Sequence, residues 1–146
     1  MRAVLVDTGP LVALLSRSDE HHEEITRALK GIQDPLVSVW PVIVEAMYLL
    51  SNSWQAQKVL WKILETGMVR LLPLDEADVP GMKKLMDKYK DIPMDMADAA
   101  LDHVAERESI RRVLTVDKRD FSIYRLPRKG HFTPLPFLLH CREIAA

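Results

Sequence analysis

The stretch P-M-D-M-A-D-A-A-L-D-H-V-A-E-R-E-S-I-R-R-V-L-T-V-D-K-R-D, from Pro93 to Asp120, decides the reading of the fold. Its first half has helical spacing, with Ala97, Ala100, Leu101, Val104 and Ala105 as an apolar stripe. Asp95 and Asp98 lie three residues apart, which places both carboxylates on one face of that helix. Its second half, Arg112 to Val116, is an apolar strand that stops at Asp117. A helix carrying acids and a strand ending in one suggest a shared carboxylate site.

The same grammar recurs outward from this stretch. Ala3 to Val6 is a second short apolar run, as expected for a strand buried on both faces of a parallel sheet, and it too stops at an aspartate, Asp7. Thr8-Gly9-Pro10 then turns the chain into a helix, with Pro10 suited to its first position. A further helix begins at Asp19-Glu20. Leu36 to Trp40 reads as a strand, Pro41 to Leu50 as a helix, and Trp54 to Thr66 as an amphipathic helix with Val59, Leu60, Ile63 and Leu64 inward. Met68 to Leu74 is a strand whose Pro73 suits an edge or an end. Asp75 caps a helix towards Tyr89, with Val79, Met82, Leu85 and Met86 inward. Beyond Asp120 the chain is loop-rich, with room for one or two short edge strands. Strands alternating with helices give an α/β fold: one domain over residues 1–146, a mainly parallel central sheet of four to five strands flanked by helices, and a C-terminal tail from about 137 to 146.

Composition narrows the functional classes. Twenty basic against 21 acidic residues leave no global charge that argues for or against nucleic acid. The single cysteine, Cys141, excludes an intramolecular disulfide framework and a Cys-based zinc site. No apolar run approaches the length of a membrane span, and a cytoplasmic protein is expected.

In an open parallel sheet the functional crevice lies beyond the carboxyl ends of the strands. Asp7 and Asp117 both emerge there, and they face each other if their strands are neighbours. Helices starting near that edge can bring Asp95, Asp98 and Glu45, the one acid in the apolar Pro41–Leu50 helix, to the same rim. That helix is apolar nearly all round, which predicts packing on several sides and a Glu45 that is paired or coordinating rather than solvated. Carboxylates at ~4 Å repel by about 4 kcal/mol per pair at an effective dielectric near 20, so such a cluster protonates or binds a cation. All-oxygen donors favour Mg²⁺ or Mn²⁺.

The residues V-L-V-D-T-G-P-L (Val4 to Leu11), the lone Glu45 in its apolar helix, P-M-D-M-A-D-A-A-L (Pro93 to Leu101) and V-L-T-V-D-K-R-D-F (Val113 to Phe121) together resemble the PIN-domain ribonucleases, in particular the VapC-type toxins of bacterial toxin–antitoxin pairs. The resemblance runs from Arg2 to about Pro136. It implies a Mg²⁺- or Mn²⁺-dependent endonuclease acting on single-stranded or structured RNA, a cognate antitoxin partner and a homodimer. The family's acidic quartet falls on Asp7, Glu45, Asp98 and Asp117, with Asp95 as an additional acid at the metal. Thr8, Thr115 and Asp120 match supporting positions.

RNA must also be held. Arg111, Arg112, Lys118, Arg119, Arg125, Arg128 and Lys129 form a local basic excess against Asp117 and Asp120, and Arg119 and Arg125 are the members nearest Asp117 and Phe121. An ordinary solvated face explains that excess nearly as well. His103, His21 and His22 read as hydrogen-bonded or solvated histidines. Trp40, Tyr48, Trp54 and Trp61 cluster on two consecutive helices and offer anchors for a protein partner, or core packing. Two other readings compete with the nuclease. One is a non-catalytic interaction protein of the same fold. The other is a haloacid dehalogenase-type phosphatase, opposed by Gly9 where that chemistry needs a second aspartate. Helix capping accounts for Asp7, Asp95 and Asp117 singly, but not for Glu45.

Overall fold

The computed structural model describes residues 2–92 and 94–116, together with the backbone of three short strands at 125–126, 130–131 and 133–135. Its centre is a five-stranded sheet in the order β3-β2-β1-β4-β7. The strands are β1 (Val4–Val6), β2 (Leu36–Ser38), β3 (Val69–Leu71), β4 (Arg112–Leu114) and β7 (Thr133–Leu135), and every pairing is parallel. β5 (Arg125–Leu126) and β6 (Gly130–His131) form a separate antiparallel pair. The expected one or two late strands are therefore three, of which β7 extends the main sheet. Pro73 lies just past the end of β3, which is indeed at the sheet edge.

Among the described residues six α-helices cover the sheet: α1 (Thr8–Leu15), α2 (His22–Lys30), α3 (Trp40–Leu49), α4 (Trp54–Glu65), α5 (Val79–Lys88) and α6 (Met96–Glu108). Parallel strands need such crossovers, and sheet burial follows from them. Val4, Leu5 and Val6 are all buried, and each such side chain contributes about 1.5–3 kcal/mol of transfer free energy. Helix ends are set by local chemistry. Ser53 Oγ accepts from the Ala56 amide at 3.2 Å to start α4, and Gly67 takes the left-handed backbone (φ 76°) that follows its end. Pro10 stands third in α1 rather than first, because Asp7 caps the helix from before Thr8. The second helix begins at His22, after a turn in which Asp19 Oδ1 accepts from the His21 amide at 2.8 Å.

Two expectations about packing fail. α3 is apolar nearly all round, yet it buries only Val42, Ile43 and Ala46 and leaves Val44 65% and Tyr48 76% exposed. Val59 on α4 and Val79 and Met86 on α5 also face outward rather than inward. Apolar composition alone did not tell which face the neighbouring helices would cover.

α5 and α6 are fastened by a polar clamp. Asp75 and Asp78 form a reciprocal capping box ahead of α5: Asp75 Oδ1 accepts from the Ala77 amide and Asp78 Oδ2 from the Asp75 amide, both at 2.9 Å. The other oxygen of Asp78 meets His103 Nε2 at 2.8 Å and Arg107 Nη1 at 2.9 Å, both from α6. His103 is thus a hydrogen-bonded structural residue, and its ring lies where any side chain at Gly81 would collide with it.

Candidate metal centre

β1 and β4 are neighbours, with Val6 opposite Leu114, so the residues that follow them emerge together. The Asp7 amide donates to the Leu114 carbonyl at 3.1 Å, which pins Asp7 at the sheet's carboxyl edge. Both of its carboxyl oxygens are then oriented. Oδ1 accepts from the Thr8 amide at 2.8 Å, and Oδ2 accepts from Thr115 Oγ1 at 3.1 Å. The first bond makes Asp7 the N-cap of α1, a structural job that does not use up the carboxylate's lone pairs. Gly9 permits the next approach: a Cβ there would run into the Val116 side chain, so only glycine lets the chain leaving β4 pass close over the start of α1.

Asp95 and Asp98 open α6. Asp95 is its N-cap, with Oδ1 accepting from the Asp98 amide at 2.9 Å, while Asp98 Oδ2 accepts from the Asp95 amide at 3.2 Å. The pair therefore begins a helix and presents its carboxylates at one place. α3 packs against both α1 and α6, and Glu45 sits half-buried where they meet. The Thr8 hydroxyl is buried with no hydrogen-bond partner of normal geometry among the described residues, and it stands close enough to Glu45 to favour its charge.

The acids sense one another. Burial chiefly, with the charges of Glu45 and Asp95 adding to it and the bonds from Thr8 and Thr115 opposing, raises the Asp7 carboxyl to about 6. Burial, then the charges of Asp95 and Asp7, lift Asp98 to about 8. Glu45 is also raised, by burial and then by Asp95, with Thr8 opposing. The charges of Asp7, Glu45, Asp95 and Asp98 thus act on one another near the carboxyl edge of the sheet. Among the described residues no three His, Cys, Asp or Glu side chains close into a cage on their own. Asp117, Asp120, Arg119 and the side chain of Arg125 lie outside the described residues.

The donor set fits a hard divalent cation. Every candidate group is an oxygen, the acids repel in the metal-free protein, and the buried Thr8 hydroxyl lies close to Glu45 without a bond of normal geometry among the described residues. The raised carboxyls also set a pH dependence. A cation held by these acids would have to displace protons from Asp98 up to about 8 and from Asp7 up to about 6. Mn²⁺ affinity should therefore strengthen as pH rises from 6 to 8, by roughly tenfold per unit for each proton displaced. Calorimetric titrations at three pH values measure this; a pH-independent dissociation constant would show that the acids are not coupled to the metal.

Arg112 is not part of any exposed basic face. It is 3% exposed and donates from Nη2 to Asp34 Oδ2, holding that carboxyl below its usual range and tying β4 to the turn before β2. Trp40, Tyr48, Trp54 and Trp61, by contrast, are all exposed, which removes core packing as their explanation.

The sequence profile of the PIN domain matches residues 4–128, a span that holds every acid of the crevice. The chain belongs to the PIN domain family. This PIN domain is 28% identical over 135 residues to Ribonuclease VapC26 of Mycobacterium tuberculosis, covering 91% of this chain and all of that protein. Its fold matches the crystal structure of Mycobacterium tuberculosis VapC20, a Sarcin-Ricin loop cleaving toxin, with a TM-score of 0.70 at 17% identity over 75% of this chain and 86% of that one. It also matches a toxin–antitoxin complex from Klebsiella pneumoniae (TM-score 0.60, 18% identity, 82% of this chain and 90% of that one).

Proposed function

We propose that this PIN domain is a metal-dependent RNA endonuclease and the toxin of a toxin–antitoxin pair, with Asp7, Glu45, Asp98 and Asp117 as its acidic quartet. The observation that carries the reading is the electrostatic convergence of Asp7, Glu45, Asp95 and Asp98, from three separate parts of the chain, within a PIN fold. The 28% identity to a VapC ribonuclease along the whole of that relative supports the substrate class. The haloacid dehalogenase alternative finds no support in this family.

The quartet would hold Mg²⁺ or Mn²⁺, with Asp95 assisting. A bound divalent cation supplies a water of lowered pKa and neutralises charge on the scissile phosphate. The chain's own residues do the positioning. The Thr8 amide and the Thr115 hydroxyl fix both oxygens of Asp7, so its orientation is set before substrate arrives. The Asp95 amide holds one oxygen of Asp98. Thr8 and Asp120 complete the supporting set, and Arg119 and Arg125 are the residues assigned to the RNA backbone. The exposed series Trp40, Val44 and Tyr48 on α3, spaced by four, together with Trp54 and Trp61 on α4, is the face assigned to a protein partner, the antitoxin. A homodimer and a cytoplasmic location complete the proposal; among the described residues no helix is long and apolar enough to cross a membrane.

The test is direct. Purified, partner-free protein should cleave members of a broad RNA panel with Mg²⁺ or Mn²⁺, and a chelator should abolish cleavage. Well-folded, metal-loaded protein that cuts none of them would favour a non-catalytic interaction role for the fold.

A further inference from the structure

Asp102 is a fully buried acid of α6 that neither the proposed metal centre nor the clamp to α5 uses. It is 1% exposed, and neither of its carboxyl oxygens has a hydrogen-bond partner among the described residues. An unpaired, ionised carboxylate is among the costliest groups to bury, whereas its neutral form costs far less. Asp102 lies one helical turn beyond Asp98, amid the buried Leu101, Val104 and Ala105 of the helix that α5 and α3 pack against.

The charges around it do not rescue ionisation. Glu106, one turn further along α6, opposes it, and Lys88 at the end of α5 favours it without bonding to it. The Lys88 ammonium is instead stationed 5.3 Å from the centre of the Tyr89 ring. From α3 the titratable groups are Glu45, which belongs with Thr8 and Asp95, and Tyr48, which is exposed. β5 also approaches α6, and its Arg125 side chain lies outside the described residues.

We propose that Asp102 is a pH-sensitive element of the fold: protonated, it belongs to the core, and ionised, it loosens the α5–α6 layer that carries Asp95 and Asp98. The proposal does not depend on the nuclease reading. Burial chiefly, and then Glu106, raise the Asp102 carboxyl to about 7, with Lys88 opposing. The sign follows. Between the unfolded value near 3.8 and the folded value near 7 the folded chain holds a proton that the unfolded chain has released, so stability falls as pH rises across that window and then levels off.

Urea unfolding of metal-free protein at pH 5, 6, 7 and 8 tests this with wild type, Asp102→Asn and Asp102→Leu. Asp7 and Asp98 titrate alike in all three and cancel in the comparison. From pH 5 to 7 the wild-type unfolding constant should rise faster than that of Asp102→Asn by up to about tenfold per unit, one proton's worth. Asp102→Leu should remove the same slope and be the more stable of the variants throughout. Parallel curves for wild type and Asp102→Asn overturn the proposal, as does an Asp102→Asn variant that is less stable than wild type at pH 8. Native-state hydrogen exchange of the wild type reads the same device without any variant. Protection of the α6 amides, corrected for intrinsic rates, should fall from pH 6 to pH 8 by a larger factor than that of the β1 amides. Equal changes in α6 and β1 overturn the assignment to the α5–α6 layer.

Discussion

Asp98→Asn is expected to lower RNA cleavage by roughly 10²–10³-fold, while leaving the metal-free protein as stable as wild type or slightly more so. The catalytic loss follows from removing a charged oxygen donor: several kcal/mol of transition-state stabilisation correspond to factors of that size. The stability outcome follows from geometry. Asn keeps an oxygen that can accept from the Asp95 amide, so the capping box at the start of α6 survives. It also takes a titrating group out of a crevice where Asp95 and Asp7 oppose its charge. Single-turnover cleavage and chelator-treated melts of the two proteins measure both halves. Cleavage within a few-fold of wild type would remove Asp98 from the site.

Asp78→Ala is expected to give a large stability loss for a polar change away from the crevice. Asp78 is 6% exposed and serves the Asp75 amide, His103 and Arg107 at once. Losing a buried acceptor of this kind together with half of a capping box costs about 2–4 kcal/mol, discounted because Arg107 can turn to water. The melting temperature should drop by on the order of 10 °C. Cleavage measured well below that temperature should stay near wild type, since Asp78 has no contact with the acids of the crevice. The pH dependence runs opposite to that of Asp102. The Asp75 amide, and then His103, hold the Asp78 carboxyl well below its usual range, so its contribution is present above pH 4 and is lost as pH falls towards the folded value. Asp78→Ala should therefore lose its penalty in acid. A melting temperature unchanged at pH 7 would contradict the clamp.

What the sequence disclosed was whatever a local rule forces. A β-branched run that stops at an acid marks a buried parallel strand and the edge where its last side chain emerges, so Asp7 was legible before any geometry. The spacing of Asp95 and Asp98 marked the start of α6, but Asp95 stands just before the helix as its extended N-cap rather than on its face, and the two cap one another. Glu45 stood out because charge is costly inside an apolar helix. Illegible were the features decided by which neighbour covers which face. Val44 and Tyr48 look like core in a helix with no polar side, yet no described helix covers them. Arg112 counts as a surface cation in sequence and is a buried partner of Asp34 in the fold, because its strand is internal to the sheet. Asp102 falls in helical step with Asp98 on α6. Only burial separates an acid at the crevice from one under it. The spacing of Asp75 and Asp78 carries a capping-box signature, but nothing local announces that the second carboxylate reaches His103 and Arg107 across α5 and α6.

If the acids beside β1 and β4 hold a cation, a single melting comparison reveals it. Wild type and Asp98→Asn are heated with chelator and with Mn²⁺ at about a hundredfold excess over its dissociation constant. Mn²⁺ should stabilise wild type by about 2.7 kcal/mol, raising its melting point by roughly 5–10 °C. Most of that shift should disappear in Asp98→Asn, while the two chelated proteins melt together. If Mn²⁺ moves neither protein and Asp98→Asn melts clearly lower in chelator, the acids are structural caps and the shared metal centre is contradicted.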